Sequence, residues 1–312
     1  MFRTLRTTDY DELTAAEEGW EIRHRPVRPE KFEGHVTLAR IGSLGVDLES
    51  WSIATELVGT SPPQALGFVL PFAGIGSYVS SGMDVAAGQV DVFGADCEIY
   101  AITKPGTSLI SCSVSTEALE ERTDSPVSTF LAEQADGHRV VPSTRWATGA
   151  LCRLWKQLLN LSVRKELPRE AHDQLLDEVL LVTARALNSA DEGSVTGIRR
   201  DYKLARRARD FMLERYTEPP SIFEICTFLN TSERTLHYAF SKMYDVTPKC
   251  FLKTQRLFAV RQALKSRHVG ERVSDIALRF GFWDQGHFAK DYRAMFGELP
   301  STTLQRHYAK SC

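Results

Sequence analysis

The sequence predicts an α+β N-terminal domain, an antiparallel β-barrel followed by helices, and then an all-α C-terminal domain in which two short helix pairs are joined by a long helix. Three observations carry this: short β-rich runs between about residues 35 and 115, a helical period from 117 onward, and an internal repeat in the last third of the chain. Charge divides the chain at the same place. Residues 198–312 hold 21 Lys+Arg against 12 Asp+Glu, a net of +9, whereas the first 197 residues hold 17 against 28, a net of -11. The formal total of -2 therefore hides an acidic half and a basic half, and the basic half has the balance of a polyanion-binding module. A length of 312 residues leaves room for two cores. With 43% hydrophobic and 25% charged residues, a disordered, collagen-like or low-complexity chain is excluded.

The barrel, about 35–115, is read from the runs HVTLARI, ALGFVLPF, GQVDVFG, CEIYAIT and SLISCSV, separated by Gly, Pro, Asp and Ser clusters. In the last run Ile110, Cys112 and Val114 share a parity, as a half-buried strand requires. Short strands at this spacing suggest a small antiparallel barrel or sandwich. The period then becomes helical over 117–133, 146–165 and 169–188, where Leu151, Leu154, Trp155, Leu158 and Leu159 form an apolar stripe. The last two helices are expected to mediate dimerisation or interdomain contact; in the competing reading they pack only on their own barrel. The stretch from Asn188 to Gly197 is small and polar and opens a linker taken as 188–200. Residues 1–187 thus form one domain and 201–312 the other.

Within the basic domain, 222–248 can be laid over 273–300. Ile225 and Cys226 match Ile276 and Ala277, and Leu236, Phe240, Tyr244 and Pro248 match Phe288, Tyr292, Phe296 and Pro300, with a one-residue change of offset in the turn. Each copy reads as a short helix, a tight turn and a longer helix: Ser221–Leu229, Asn230-Thr-Ser and 233–243, then Ser274–Phe280, Gly281-Phe-Trp-Asp and 285–296. Ser232 and Asp284 stand where an N-cap oxygen would satisfy the first free amides of each longer helix. This is the helix-turn-helix arrangement, over 222–243 and 273–296, whose second helix enters the DNA major groove. Between the copies, Thr247 and Pro248 supply an N-cap and an N1 proline for a helix running to about Ser266. Its roughly 19 residues span about 28 Å, comparable with the roughly 34–36 Å between successive major-groove faces, so one chain can set two reading helices on one side of a duplex. A flanking helix, about 201–216, carries Lys203, Arg206, Arg207, Arg209 and Arg215.

Helical periodicity separates inward from outward positions. In 233–243, Leu236, Ala239, Phe240 and Met243 share the packed stripe; in 285–296 it is Phe288, Tyr292, Met295 and Phe296. Candidate base readers are Arg234, His237, Tyr238, Gln285, His287 and Lys290. Arg and Lys suit guanine O6 and N7, Gln suits adenine N6 and N7, and His donates or accepts at a base edge. Ser232, Thr235, Lys242, Gly286 and Arg293 are candidates for phosphate contact or close backbone approach, which give affinity and register without sequence information.

The residues Ser232, Arg234, Leu236, Phe240, Thr247-Pro248, Leu252, Arg256-Leu257, Ala263-Leu264, Ile276-Ala277, Gly281-Phe282, Phe288, Phe296-Gly297 and Pro300 resemble the signature of the AraC/XylS family of bacterial transcription regulators, over about 205–307. The chain further resembles the branch that includes the ethanolamine-utilisation operon regulator, through Lys31-Phe32-x-Gly34, Gly281-Phe282-Trp283, Phe288-Ala289-x-Asp291-Tyr292 and Thr303-Leu304-Gln305-Arg306. Two positions depart from the family pattern: Asp245 stands where Gly is usual after the first reading helix, and Cys226 where Ala is usual. Asp tolerates a left-handed backbone better than most residues and Cys is small, so the expected consequence is at most a less stable first helix pair. The resemblance implies a cupin-like barrel that senses a small molecule, dimerises, or both. It also implies base contacts on the outward positions named above, double-stranded promoter DNA and RNA polymerase as partners, and a metabolic-operon activator acting as a homodimer.

No catalytic constellation stands out in the acidic half. His24, His35, His138 and His172 are isolated and lack the paired spacing of a metal site, and there is no GxSxG, P-loop or HExxH. Gly74-Ile-Gly-Ser is read as a strand turn. The expectation is a sensor domain with no catalytic residues, metal or cofactor beyond a small-molecule effector. Two alternatives stand beside it: a barrel enzyme fused to a DNA-binding module, and a constitutive binder whose N-terminal half only dimerises. No run approaches the roughly 18 apolar residues of a membrane span, and MFRTLRTTDYDELTAAEEGW has charges where a signal peptide has its apolar core, so a cytoplasmic protein without a membrane partner is expected. The six cysteines form no CxxC pair, which argues against a zinc knuckle or a disulfide framework.

Overall fold

The structure, a computed structural model, describes residues 1–17, 19–72, 76–122, 124–134, 136–161, 168–189, 200–266 and 271–308. The chain divides into two units. Met1–His24, Glu33–Ser52 and Glu56–Ile198 form the first, and Arg25–Phe32, Ile53–Thr55 and Arg199–Cys312 the second. Most of the expected linker, 190–199, and the Gly74-Ile75 part of the expected strand turn lie outside the described residues.

Two antiparallel sheets build the first unit. One has seven strands, in the spatial order β1 (Phe2–Thr7), β3 (Gly34–Ile41), β4 (Leu44–Trp51), β11 (Ser108–Ser115), β6 (Ala65–Pro71), β9 (Gln89–Phe93) and β12 (His138–Pro142). The other has five, in the order β2 (Glu21–Pro26), β5 (Thr55–Thr60), β10 (Glu98–Thr103), β7 (Tyr78–Ser80) and β8 (Met83–Val85). The central strand β11 is buried on both faces. Ile110, Cys112 and Val114 join the core under the helices, while Leu109 and Ser111 line a cavity between the sheets. Five helices accompany the sheets among the described residues: α1 (Tyr10–Thr14), α2 (Thr116–Glu120), α3 (Pro126–Glu133), α4 (Arg145–Leu161) and α5 (Arg169–Leu187). The α4 stripe Leu151, Leu154, Trp155, Leu158 and Leu159 is spent on the seven-stranded sheet, together with Leu176, Val179 and Leu180 of α5. The named stripe of α4 and the inward residues of α5 are thus covered by their own unit, while Trp146 of α4 and Leu181 of α5 stay exposed.

The barrel differs from its expected 35–115 extent in two ways, and the helix expected after it in one. Strands begin at Phe2, and β12 returns to the sheet after the helices begin, pairing with β9. β1 reads FRTLRT and is an exposed edge strand, so no apolar run announces it. The expected helix 117–133 is two short helices, because Ser125 caps a new start at Pro126. No helix among the described residues is long and apolar enough to cross a membrane.

The second unit is helical: α6 (Arg200–Glu214), α7 (Ile222–Leu229), α8 (Glu233–Tyr244), α9 (Pro248–Ser266), α10 (Val273–Arg279), α11 (Gln285–Phe296) and α12 (Pro300–Tyr308). The long helix α9 starts at the expected proline, with the Thr247 hydroxyl accepting from the Cys250 amide at 3.2 Å. It serves both helix pairs. Phe251 packs against Phe240 and Tyr244 at ring separations of 5.4 and 5.1 Å, and Leu257, Val260 and Leu264 share a core with Ile276, Phe288 and Tyr292.

The internal repeat extends to the backbone. Asn230 and Gly281 end the first helix of each pair at φ 49° and 71°, and Asp245 and Gly297 end the second at φ 55° and 75°. All four lie in the left-handed region, which Gly and Asn enter at least cost and Asp tolerates. Asp245, the departure from the family pattern, has gained a partner. Arg28 Nη2 donates to its main-chain oxygen at 2.7 Å and also pairs with its carboxylate.

Candidate nucleic-acid interface and barrel cavity

Each reading helix begins on a side-chain cap. Ser232 Oγ accepts the Thr235 amide at 3.1 Å, and Asp284 Oδ1 accepts the His287 amide at 2.9 Å. That amide bond, with the His287 ring beside it, holds the Asp284 carboxyl below the usual carboxylate range. A carboxylate at this position also complements the positive end of the helix dipole. Ser232→Ala should destabilise the second unit by about 1 kcal/mol, read by denaturant unfolding. No loss would mean that α8 does not depend on this cap.

The caps set the rotation of both helices. On α8, Leu236, Ala239, Phe240 and Met243 are buried, together with Tyr244. On α11, Phe288, Tyr292 and Met295 are buried, and Phe296 is half-buried. Tyr292 is anchored by a 2.9 Å bond to the Thr303 hydroxyl, which donates to Glu298 at 2.8 Å, and Glu298 pairs with Arg261 of α9 at 3.0 Å. This network fixes α11 between α9 and α12.

The opposite faces carry the candidates. Arg234, Tyr238, Gln285, His287 and Lys290 are exposed, as are Ser232, Thr235, Lys242, Gly286 and Arg293, and His237 is half-buried. They are not equally available. Among the described residues Arg234, Lys290 and Arg293 have no ion-pair partner. Lys242 Nζ lies 3.4 Å from Asp201 and over the Tyr238 ring at 5.4 Å, tying α8 to α6. Gln285 donates to the Phe282 main-chain oxygen at 3.1 Å, and His287 Nδ1 sits 2.7 Å from Asp284. His237 is 3.7 Å from Glu233. Both histidines are thus held beside carboxylates on their own helix, and the Ser232 hydroxyl is committed to the cap.

Trp283 is not among the outward helix positions that periodicity selects. It stands in the second turn, 80% exposed, directly before the cap of α11, and an exposed indole beside a reading helix is a candidate DNA contact. Its sequence signals are its place in the turn Gly281-Phe-Trp-Asp and in the Gly281-Phe282-Trp283 likeness.

Inside the barrel, a cavity of about 40 Å³ is lined by Trp20, Trp51, Tyr78, Phe93, Glu49 and Asp91, among others. At roughly 10–15 Å³ per water this is room for about three waters. Asp91 is fully buried and accepts from Tyr78 Oη at 2.8 Å, while His138 Nε2 lies 2.7 Å from its other oxygen. The indole N–H groups of Trp20 and Trp51 are buried without a hydrogen-bond partner among the described residues. Unpaired buried donors at a cavity wall are what a polar ligand would satisfy. The histidines read as isolated are therefore not all so: His138 bridges Asp91 and Ser80, and His24 sits between two carboxylates. Apart from Glu17, seven residues before His24, the partners lie on other strands, and local spacing could not reveal them.

Residues 225–306 match a family model described as a helix-turn-helix domain. XylDLEGF operon transcriptional activator 1 of Pseudomonas putida is 34% identical over 105 residues, 33% of this chain and 32% of that protein. XylDLEGF operon transcriptional activator 2 of the same organism is 33% identical over 105 residues, 33% of this chain and 67% of that protein. The match thus spans about a third of the length of the first relative and two thirds of the second. A crystal structure of the AraC-like transcriptional activator CuxR aligns over 84% of this chain and 96% of its own, at 12% identity and a TM-score of 0.45, too slight a likeness to argue from.

Proposed function

Since the chain belongs to the AraC/XylS family of helix-turn-helix regulators, we propose that it is a sequence-specific DNA-binding transcription regulator, an effector-responsive activator of a metabolic operon. One observation carries the reading: two helix pairs with matched caps and left-handed turns each present an exposed face, with Arg234 on one and Lys290 and Arg293 on the other free of ion-pair partners among the described residues. Arg and Lys so placed can pair with base edges or phosphates. In this reading the barrel is a sensor and not an enzyme, and the two unpaired indole donors at its cavity mark where a polar group of the effector would bind. An effector shifts activity only through different affinities for two states.

The proposal includes RNA polymerase as the recruited partner and a homodimer in which the faces of α4 and α5 left over from their own core meet. Trp146 and Leu181 are exposed there. It also includes placement near the ethanolamine-utilisation branch.

The test is selection of random-sequence DNA by the full chain, with its thermal midpoint followed across amines, aromatic acids and cofactors. Two sequence elements about one helical turn apart are expected, and one ligand class should raise the midpoint. Binding without sequence preference would overturn the DNA reading. A midpoint unmoved by every ligand would overturn the sensor and leave the constitutive binder. Sedimentation as a monomer at micromolar concentration would overturn the dimer.

A further inference from the structure

Glu17, His24 and Glu49 come from three different places: the loop after α1, strand β2 of the five-stranded sheet and strand β4 of the seven-stranded sheet. Their ligand-capable atoms lie within 4.8 Å of one another. His24 Nε2 is 2.9 Å from Glu17 Oε1 and 3.6 Å from Glu49 Oε2, with side-chain exposures of 0%, 3% and 14% for His24, Glu17 and Glu49. Burial of this degree is costly for charge unless it is neutralised.

Glu17 and His24 are in ion-pair contact, yet no hydrogen bond of ordinary geometry completes the cluster. Both Glu17 oxygens and His24 Nε2 are fully buried and make no hydrogen bond of acceptable geometry, even though Nε2 and Oε1 are 2.9 Å apart. Among the described residues neither carboxylate has a Lys or Arg partner. A cation held between the two carboxylates would offset the charge that burial makes costly.

We propose that Glu17, His24 and Glu49 form a binding site for a first-row divalent transition-metal ion, which clamps the two sheets of the barrel together. Two carboxylates and a neutral imidazole bring a charge of about -2 to a dication, and a mixed nitrogen and oxygen set suits Zn²⁺, Mn²⁺ or Fe²⁺ better than an all-oxygen Ca²⁺ or Mg²⁺ site. With bonds of about 2.1 Å, the separations of 2.9 and 3.6 Å correspond to angles of about 90° and 120° at the ion. Both lie in the range of tetrahedral to octahedral coordination.

The surroundings have the features of a supported site. His24 Nδ1 lies 3.2 Å from the Thr14 hydroxyl, which also accepts the His24 amide at 3.3 Å. A bond at one ring nitrogen orients the ring and leaves the other for metal. The Trp51 ring lies 6.0 Å from the imidazole and closes one side. Glu17 lines an outer groove with Thr14 and Arg23, while Glu49 lines the inner cavity. The cluster thus lies between an outer groove and the inner cavity. Neither carboxylate is within ordinary sequence spacing of the other, which explains why the sequence suggested no metal.

The test uses the full chain, stripped with chelator and titrated with Zn²⁺ and with Mn²⁺. One equivalent per chain should bind and raise the thermal midpoint. Glu17→Gln and His24→Gln should each lower affinity more than tenfold, and Thr14→Val about tenfold through the ring orientation. Replacement by Co²⁺ adds a readout independent of stability: its visible absorption should change in His24→Gln. No stoichiometric metal, or an equivalent whose affinity and Co²⁺ spectrum are unchanged in both ligand variants, would overturn the proposal. A variant that unfolds by circular dichroism is replaced by Glu49→Gln, for which the same tenfold loss is expected and its absence counts against the site.

Discussion

Phe240→Ala should melt the second unit more than about 10 °C lower while leaving the transition of the first unit in place. Phe240 is fully buried, and its ring lies 4.6 Å from Tyr244 and 5.4 Å from Phe251. Truncating such a ring costs about 3–5 kcal/mol, the lost transfer energy plus the cavity left behind. The rings around it are themselves large and held by α9, so collapse into the gap is limited. For a unit of about 125 residues, a loss of this size is a large part of the roughly 5–15 kcal/mol that holds a domain folded. Calorimetry with two resolved transitions is the measurement. A loss under about 1 kcal/mol would mean that Phe240, Tyr244 and Phe251 are not the core of the first helix pair.

Arg234→Ala is expected to relax base preference at one position of the selected DNA by about 1–3 kcal/mol while leaving the rest of the motif intact. Arg234 is in the first turn of α8, exposed and without an ion-pair partner among the described residues. Its guanidinium can therefore meet a guanine edge without first breaking a contact. Arg293→Ala, near the other end of α11, should instead weaken binding to all sequences alike and reduce the salt dependence by about one phosphate. Selection and titration at two salt concentrations separate the outcomes. If both variants behaved alike, the division into base readers and phosphate contacts would be wrong.

The two halves of the protein differ in how much of their structure is local. In the second unit almost every boundary is written within a few residues of where it acts. Ser221 with Glu224 forms a capping box, Ser232 and Asp284 cap the reading helices, and Pro248 starts α9. The first unit is different. β4 reads LGVDLESW, with two acidic residues inside the strand, and β5 reads TELVGT, with one. Asp47 is buried against Arg40 at 2.7 Å, and Glu56 accepts from Tyr100 Oη at 2.8 Å. A buried carboxylate with a partner on another strand looks like a turn signal until the partner is known.

The sequence by itself determined the two-part charge, the repeat, the capped reading helices and which of their faces turn outward, because a helix turns every 3.6 residues and its caps act within one turn. Only the tertiary structure decided which candidate readers are committed elsewhere, such as Lys242 to Asp201, and that the α4 stripe is spent on its own sheet. It also decided that Arg28 reaches Asp245 across 217 positions of sequence, and that Glu17, His24 and Glu49 meet. Those contacts depend on which strand lies beside which, and strand pairing joins residues whose separation along the chain carries no period.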